Sequence, residues 1–133
     1  MLDLDKVLAP RAGLAYGLLR LVTGLLFAFH GLQKVFGVFT DSQPPLLSQL
    51  GIGGVIELVT GVLIALGIYT RWAAFLASGT MAVAYMQFHW KFQFDENALP
   101  ALNHGEPAVV YCFVFLFIAC QGRSKSAGGG KQG

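Results

Sequence analysis

The chain has 133 residues, 55% of them hydrophobic and only 12% charged, with a net charge of +2 and a mean hydropathy of +0.61. An ordinary soluble domain is roughly 25% charged, so these values exclude a water-soluble enzyme, and the sequence has no basic nucleic-acid-binding face. The solvent they imply is lipid.

Residues 1–13 carry Lys6 and Arg11 and read as an N-terminal cytoplasmic segment. A bilayer core of about 30 Å needs about 20 mainly apolar residues per helix. Four windows supply them: Leu14 to Phe36, Gly51 to Tyr69, Trp72 to Trp90 and Glu106 to Gln121. The expected fold is therefore an all-α integral membrane protein, a four-transmembrane-helix bundle over residues 14–122. The first window is not a cleaved signal peptide, because Arg20, His30, Gln33 and Lys34 interrupt it and "VFGVF" follows. Residues 123–133, "RSKSAGGGKQG", lack apolar periodicity and read as a flexible C-terminal tail.

With four spans, the N-terminus, the second connection and the C-terminus share one side and hold Lys6, Arg11, Arg71, Arg123, Lys125 and Lys131. The other side holds Lys34 and Lys91 at helix ends. The positive-inside bias makes both termini cytoplasmic. The longer connections, "GVFTDSQPPLLSQL" and "KFQFDENALPALNHG", then face outward, with Tyr69, Trp72, Trp90 and Phe92 as interfacial anchors.

Window one contains "RLVTGLLFA" at residues 20–28, and window two repeats it as "ELVTGVLIA" at 57–65, with arginine exchanged for glutamate. At 1.5 Å per residue, Arg20 lies roughly 9 Å from the inner surface and Glu57 roughly 9 Å from the outer one. Side chains lean toward their own helix N-terminus, so in an antiparallel pair these two lean apart. His30 is the level partner expected for Glu57, with Lys34 one turn further out. Arg20, Thr23, His30 and Lys34 share an arc of about 80° on the first helix. Gly53, Glu57, Thr60 and Gly61 form a comparable face on the second, and Ala74, Ser78 and Ala82 one on the third, so small residues permit close packing.

Ionisable groups inside a membrane are costly and mark functional candidates. The bland alternative has Arg20 and Lys34 snorkelling to phosphates and Glu57 buried for packing. For His30 with Glu57 the functional reading is preferred, since an imidazole and a carboxyl at one depth exchange protons readily. Outward, His89 ends the third window, and "NHGEP" sets His104, Glu106 and Pro107 at the start of the fourth. Glu106 either joins the polar cluster or complements the helix N-terminus. The three histidines have no recognised ligand spacing, so neither a metal nor a bis-histidine haem is expected. Cys112 and Cys120 lie too far apart along one helix for a disulfide, and there is no C-x-x-C thiol couple.

The stretches "RLVTGLLFAFHGLQKVFG", "GGVIELVTGVLIALGIYTRWAA" and "NHGEPAVVYCFVFLFIACQG" together resemble the DoxX family of small four-helix bacterial membrane proteins, across about residues 14–122. The pattern carried over is Arg20, Gly24, His30, Gly31, Lys34, Phe36 and Gly37, then Glu57, Gly61, Gly67 and Arg71, then Glu106. The first outward loop lacks the family's tryptophan- or glycine-rich run, and the tail lacks its "G-P-G…S-L-D" ending. The resemblance implies an inner (plasma) membrane component of a redox-linked assembly, since relatives include a thiosulfate to quinone oxidoreductase subunit and a complex with superoxide dismutase and a sulfurtransferase. It implies a quinone as the ligand class, His30 and Glu57 as the proton-handling or quinone-proximal pair, and Lys34 and Glu106 tuning them from the rim. Arg20 and Arg71 are the remaining polar motif residues. Redox-protein partners, the lipid bilayer and a homo-oligomer built on the glycine and alanine faces are the partners to expect. The competing reading is a noncatalytic membrane scaffold or assembly factor. A solute carrier ranks third, because broken helices and a clear inverted repeat are missing.

Overall fold

Asp3 starts the first helix: its carboxylate accepts from the backbone N–H groups of Asp5 and Lys6, capping α1 (Leu4–Leu8). The computed structural model describes residues 1–123, and these are helical and irregular, without strands. Of the expected flexible tail, all but Arg123 lies outside the described residues. A 3₁₀ turn, Ala9–Arg11, leads into α2 (Ala12–Phe36), followed by α3 (Gln49–Leu66), α4 (Thr70–Ala84) and α5 (Glu106–Gln121).

Local chemistry sets each boundary. Gly37 ends α2 in the left-handed region at φ 66°, and its N–H returns to the Gln33 carbonyl at 3.0 Å. Ser48 caps α3, its hydroxyl accepting from Gly51 N at 3.1 Å. α3 stops at Leu66, short of the expected Tyr69, because Gly67 at φ 75° closes a Schellman turn: Gly67 N donates to Ile64 O at 3.2 Å and Ile68 N to Leu63 O at 2.9 Å. The third window is not one regular helix. After α4 its last residues, Tyr85–Trp90, form a π-helical turn, with Lys91 N donating to Met86 O at 2.9 Å. Pro107 occupies the first turn of α5, where its missing N–H costs nothing.

The two similar segments, 20–28 and 57–65, pack on each other. A Cβ at Gly24 would lie 2.7 Å from both Ala65 N and Gly61 O; one at Gly61 would lie 2.5 Å from Ala28 N and 2.6 Å from Gly24 O. The contact is reciprocal, so the two copies are related by a local two-fold axis and α2 and α3 run antiparallel, backbone against backbone. α4 and α5 form a second antiparallel pair, in which Ala73, Ala74 and Ala77 are buried and Ser78 Oγ donates to Cys112 O at 2.7 Å. Aromatic side chains join the pairs across α2 and α5: Phe27 stands 4.7 Å from Phe115 and 5.8 Å from Tyr111, ring centre to ring centre.

A helix on a soluble protein keeps a polar outer face. Here the outer faces carry Leu25, Trp72, Phe75, Val110 and Phe113, all exposed. Two helical stretches, Leu4–Phe36 and Gln49–Leu66, are long and apolar enough to cross a membrane, and Glu106–Gln121 is a shorter apolar helix.

The glycine contact yields a stability test. Gly61→Ala should lower resistance to denaturing detergent by about 1–3 kcal/mol, because the added methyl meets facing backbone and not a side chain that can swing aside. Gly17→Ala, with nothing within 4 Å of the added Cβ, should leave stability level or raise it.

Candidate functional site

Lys34, near the end of α2, and Glu57, in α3, form an ion pair with Nζ 2.6 Å from Oε1. Their helices run antiparallel, so Lys34 leans back along α2 while Glu57 leans toward the start of α3, and the two tips converge. This corrects the expected pairing of Glu57 with His30: counting helical rise placed Lys34 a turn too far out because it ignored the reach of the lysine stem. Gly54 makes room for that stem, since a Cβ there would lie 2.5 Å from Lys34 Cβ. Arg20 does not bridge to Glu57.

Glu57 is only 3% exposed, and its second oxygen, Oε2, is buried with no hydrogen-bond partner among the described residues. Lys34 retains 31% of its side-chain exposure and uses one of its donors on Glu57. Burying such a pair costs desolvation that an isolated contact barely recovers, so it is weak evidence for a purely stabilising role.

The pair forms part of the wall of a cavity of about 880 Å³. His30 and His89 line it with Tyr111, while Ile52, Phe75 and Leu76, all exposed on the outer faces of α3 and α4, line it too. The cavity is thus mainly apolar, has exposed lining on α3 and α4, and carries its charge on the α2–α3 side. His30 is exposed and has no hydrogen bond or ion pair among the described residues. Glu106 is exposed on the first turn of α5 and is not a cavity residue, although Pro107 and Ala108 beside it are. His30, Lys34 and Glu57 are therefore gathered at one cavity, and Glu106 stands apart.

Arg20 and Arg71 work at the opposite end. Arg71 Nη1 donates to the carbonyls of Ala119 at 3.0 Å and Cys120 at 2.6 Å. Arg20 Nη1 donates to the Arg123 carbonyl, and the Tyr16 hydroxyl to that of Gly122 at 2.5 Å. Together they satisfy carbonyls that the end of α5 leaves unpaired. Sequence reading gave His89 no partner and missed its bond to Asn103, because the partner lies across a turn whose geometry no periodicity announces. Among the described residues no group of three or more histidine, cysteine or acidic side chains is placed to hold a metal ion.

Residues 15–90 match the family model for DoxX. An uncharacterized protein of Haemophilus influenzae is 34% identical over 117 aligned residues, covering 82% of this chain and 84% of its own length. No solved structure matches. The matched span holds Arg20, His30, Lys34, Glu57 and Arg71 and stops before Glu106.

Removing one member of a buried pair strands the other. Lys34→Met should destabilise the protein in detergent by up to about 3–5 kcal/mol, and Lys34→Met with Glu57→Leu should recover much of that loss. Glu57→Gln should melt above Glu57→Leu, because the amide keeps an acceptor for Lys34.

Proposed function

Because the chain belongs to the DoxX family of membrane proteins, we propose that it is a multi-pass inner-membrane component of a redox-linked assembly, with its cavity as a quinone-proximal site. The observation that carries this reading is the cavity of about 880 Å³, within the roughly 300–1,000 Å³ of small-molecule sites. Its walls are mainly apolar, several of its lining side chains are exposed on the outer helix faces, and the ion pair of half-buried Lys34 with buried Glu57 supplies the fixed polarity. A quinone supplies two-electron, two-proton chemistry when bound. Lys34 donates a hydrogen bond to an oxygen in the cavity and stabilises negative charge developing on it. Glu57 holds the ammonium in place, and His30, exposed on the same wall, passes protons between cavity and interface.

In this reading α2, α3, α4 with its π-helical turn, and α5 each cross the bilayer, with both termini cytoplasmic as the basic residues favour. The assembly's soluble redox partners dock at the membrane surface.

Two measurements test the proposal. Protein purified with native lipids should retain extractable quinone, and His30→Ala and Glu57→Gln should accumulate normally while quinone-linked electron transfer falls at least tenfold, about 1.4 kcal/mol of barrier. Loss of activity in step with loss of folded protein would instead indicate packing roles, and absence of both quinone binding and electron transfer would leave the scaffold reading. In a background without Cys112 and Cys120, cysteines at Ser42 and Asn103 should label from outside the cell; labelling from the cytoplasm alone would reverse the topology.

A further inference from the structure

His89 sits in the π-helical turn Tyr85–Trp90, lines the cavity, and stacks on Tyr85 with ring centres 6.4 Å apart and planes 23° from parallel. Its Nδ1 is 3.2 Å from the backbone oxygen of Asn103. A carbonyl oxygen only accepts, so Nδ1 carries the hydrogen, and in the neutral form of such a ring the lone pair is on Nε2.

The groups that hold this arrangement are already committed. Asn103 Nδ2 donates to Asn97 O at 2.8 Å and to the Tyr85 hydroxyl at 3.1 Å, and its Oδ1 accepts from Gly105 N at 2.8 Å. The Tyr85 hydroxyl in turn donates to Ala98 O at 3.1 Å. The network fixes Nδ1 as the donor and leaves Nε2 as the ring nitrogen without a partner among the described residues. Lys34, on the α2–α3 side of the same cavity, offers donors. The site therefore has a donating pole and an accepting pole set in apolar walls.

We propose that His89 is a ligand-binding residue whose Nε2 accepts a hydrogen bond from a hydroxyl on an apolar ring held in the cavity, so that the cavity favours the reduced, hydroxyl-bearing state of its ligand. This rests on the quinone reading above and adds the redox state to it. An oxidised quinone has acceptors at both ends: one suits Lys34, and the other meets the lone pair of Nε2. A quinol presents an oxygen to Lys34 and an O–H to His89, satisfying both poles.

The test uses the full chain in lipid nanodiscs under anaerobic conditions, titrated with a short-tailed benzoquinol, its benzoquinone and a monoacylglycerol of matched chain length. Wild-type protein should bind the quinol at least tenfold more tightly than the quinone. His89→Phe should lose that preference while holding quinone affinity within about twofold, which also shows that the variant is folded. His89→Gln, which restores an acceptor, should recover part of the preference. Equal binding of quinol and quinone by the wild type, or a preference unchanged in His89→Phe, would overturn the inference and leave the quinone reading standing. A monoacylglycerol that competes as well as the quinol would also overturn it, assigning the pocket to hydroxyl lipids in general. Binding of none of the three would remove the quinone reading and the role of His89 together.

Discussion

The architecture depends on the approach of α2 to α3. Lipid removes most of the hydrophobic drive between helices, so association rests on packing and on hydrogen bonds shielded from water. Glycines at 24 and 61 let the two backbones meet where any side chain would hold them apart. That proximity brings Lys34 within 2.6 Å of Glu57, a contact that a wider helix spacing would open. On the other side of the bundle, bulky Phe27, Tyr111 and Phe115 set the spacing, and the cavity lies in the volume between the tight pair and its neighbours.

The ionisable groups divide according to what each end of the bundle offers. Where α5 terminates, unpaired carbonyls present partial negative charge, and two guanidiniums and a tyrosine hydroxyl meet it. Where α3 begins, no helix C-terminus from α5 is at hand, and Lys34 takes a carboxylate instead. Only this second group borders the cavity, so position relative to the helix ends separates the cations that meet carbonyls from the one that lies at the cavity.

Much of this was legible in the sequence. Each of the four apolar windows contains a helix, and Gly61 on the expected face of the second does meet the first, whereas its partner Gly24 was not among the residues expected to face it. The glycine-capped ends at Gly37 and Gly67 were readable as stop signals, although window two was carried past Gly67. The partner of Glu57 was misjudged because depth was counted from Cα positions, whereas a lysine stem spans more than a helical turn. The π-helical turn was invisible, since "YMQFHW" has nothing that an α-helix forbids. The tautomer of His89 depends on Asn103, fourteen residues away and across an irregular connection, and only three-dimensional proximity discloses it.

The local two-fold relating the repeats has an electrical consequence. The same offset that carries position 20 onto 57 carries 34 onto 71, so Lys34 and Arg71 are counterparts, as are Arg20 and Glu57. Had both copies kept an acid, each end of the interface would hold a neutralised pair, and the α2–α3 hairpin would look alike from either side of the bilayer. With arginine at 20, that end of the contact instead brings two guanidiniums to the carbonyls at the end of α5. One end of the contact is thus held by an ion pair between side chains, the other by cations on backbone carbonyls. A contact symmetric in its backbone is thereby electrically unlike at its two ends.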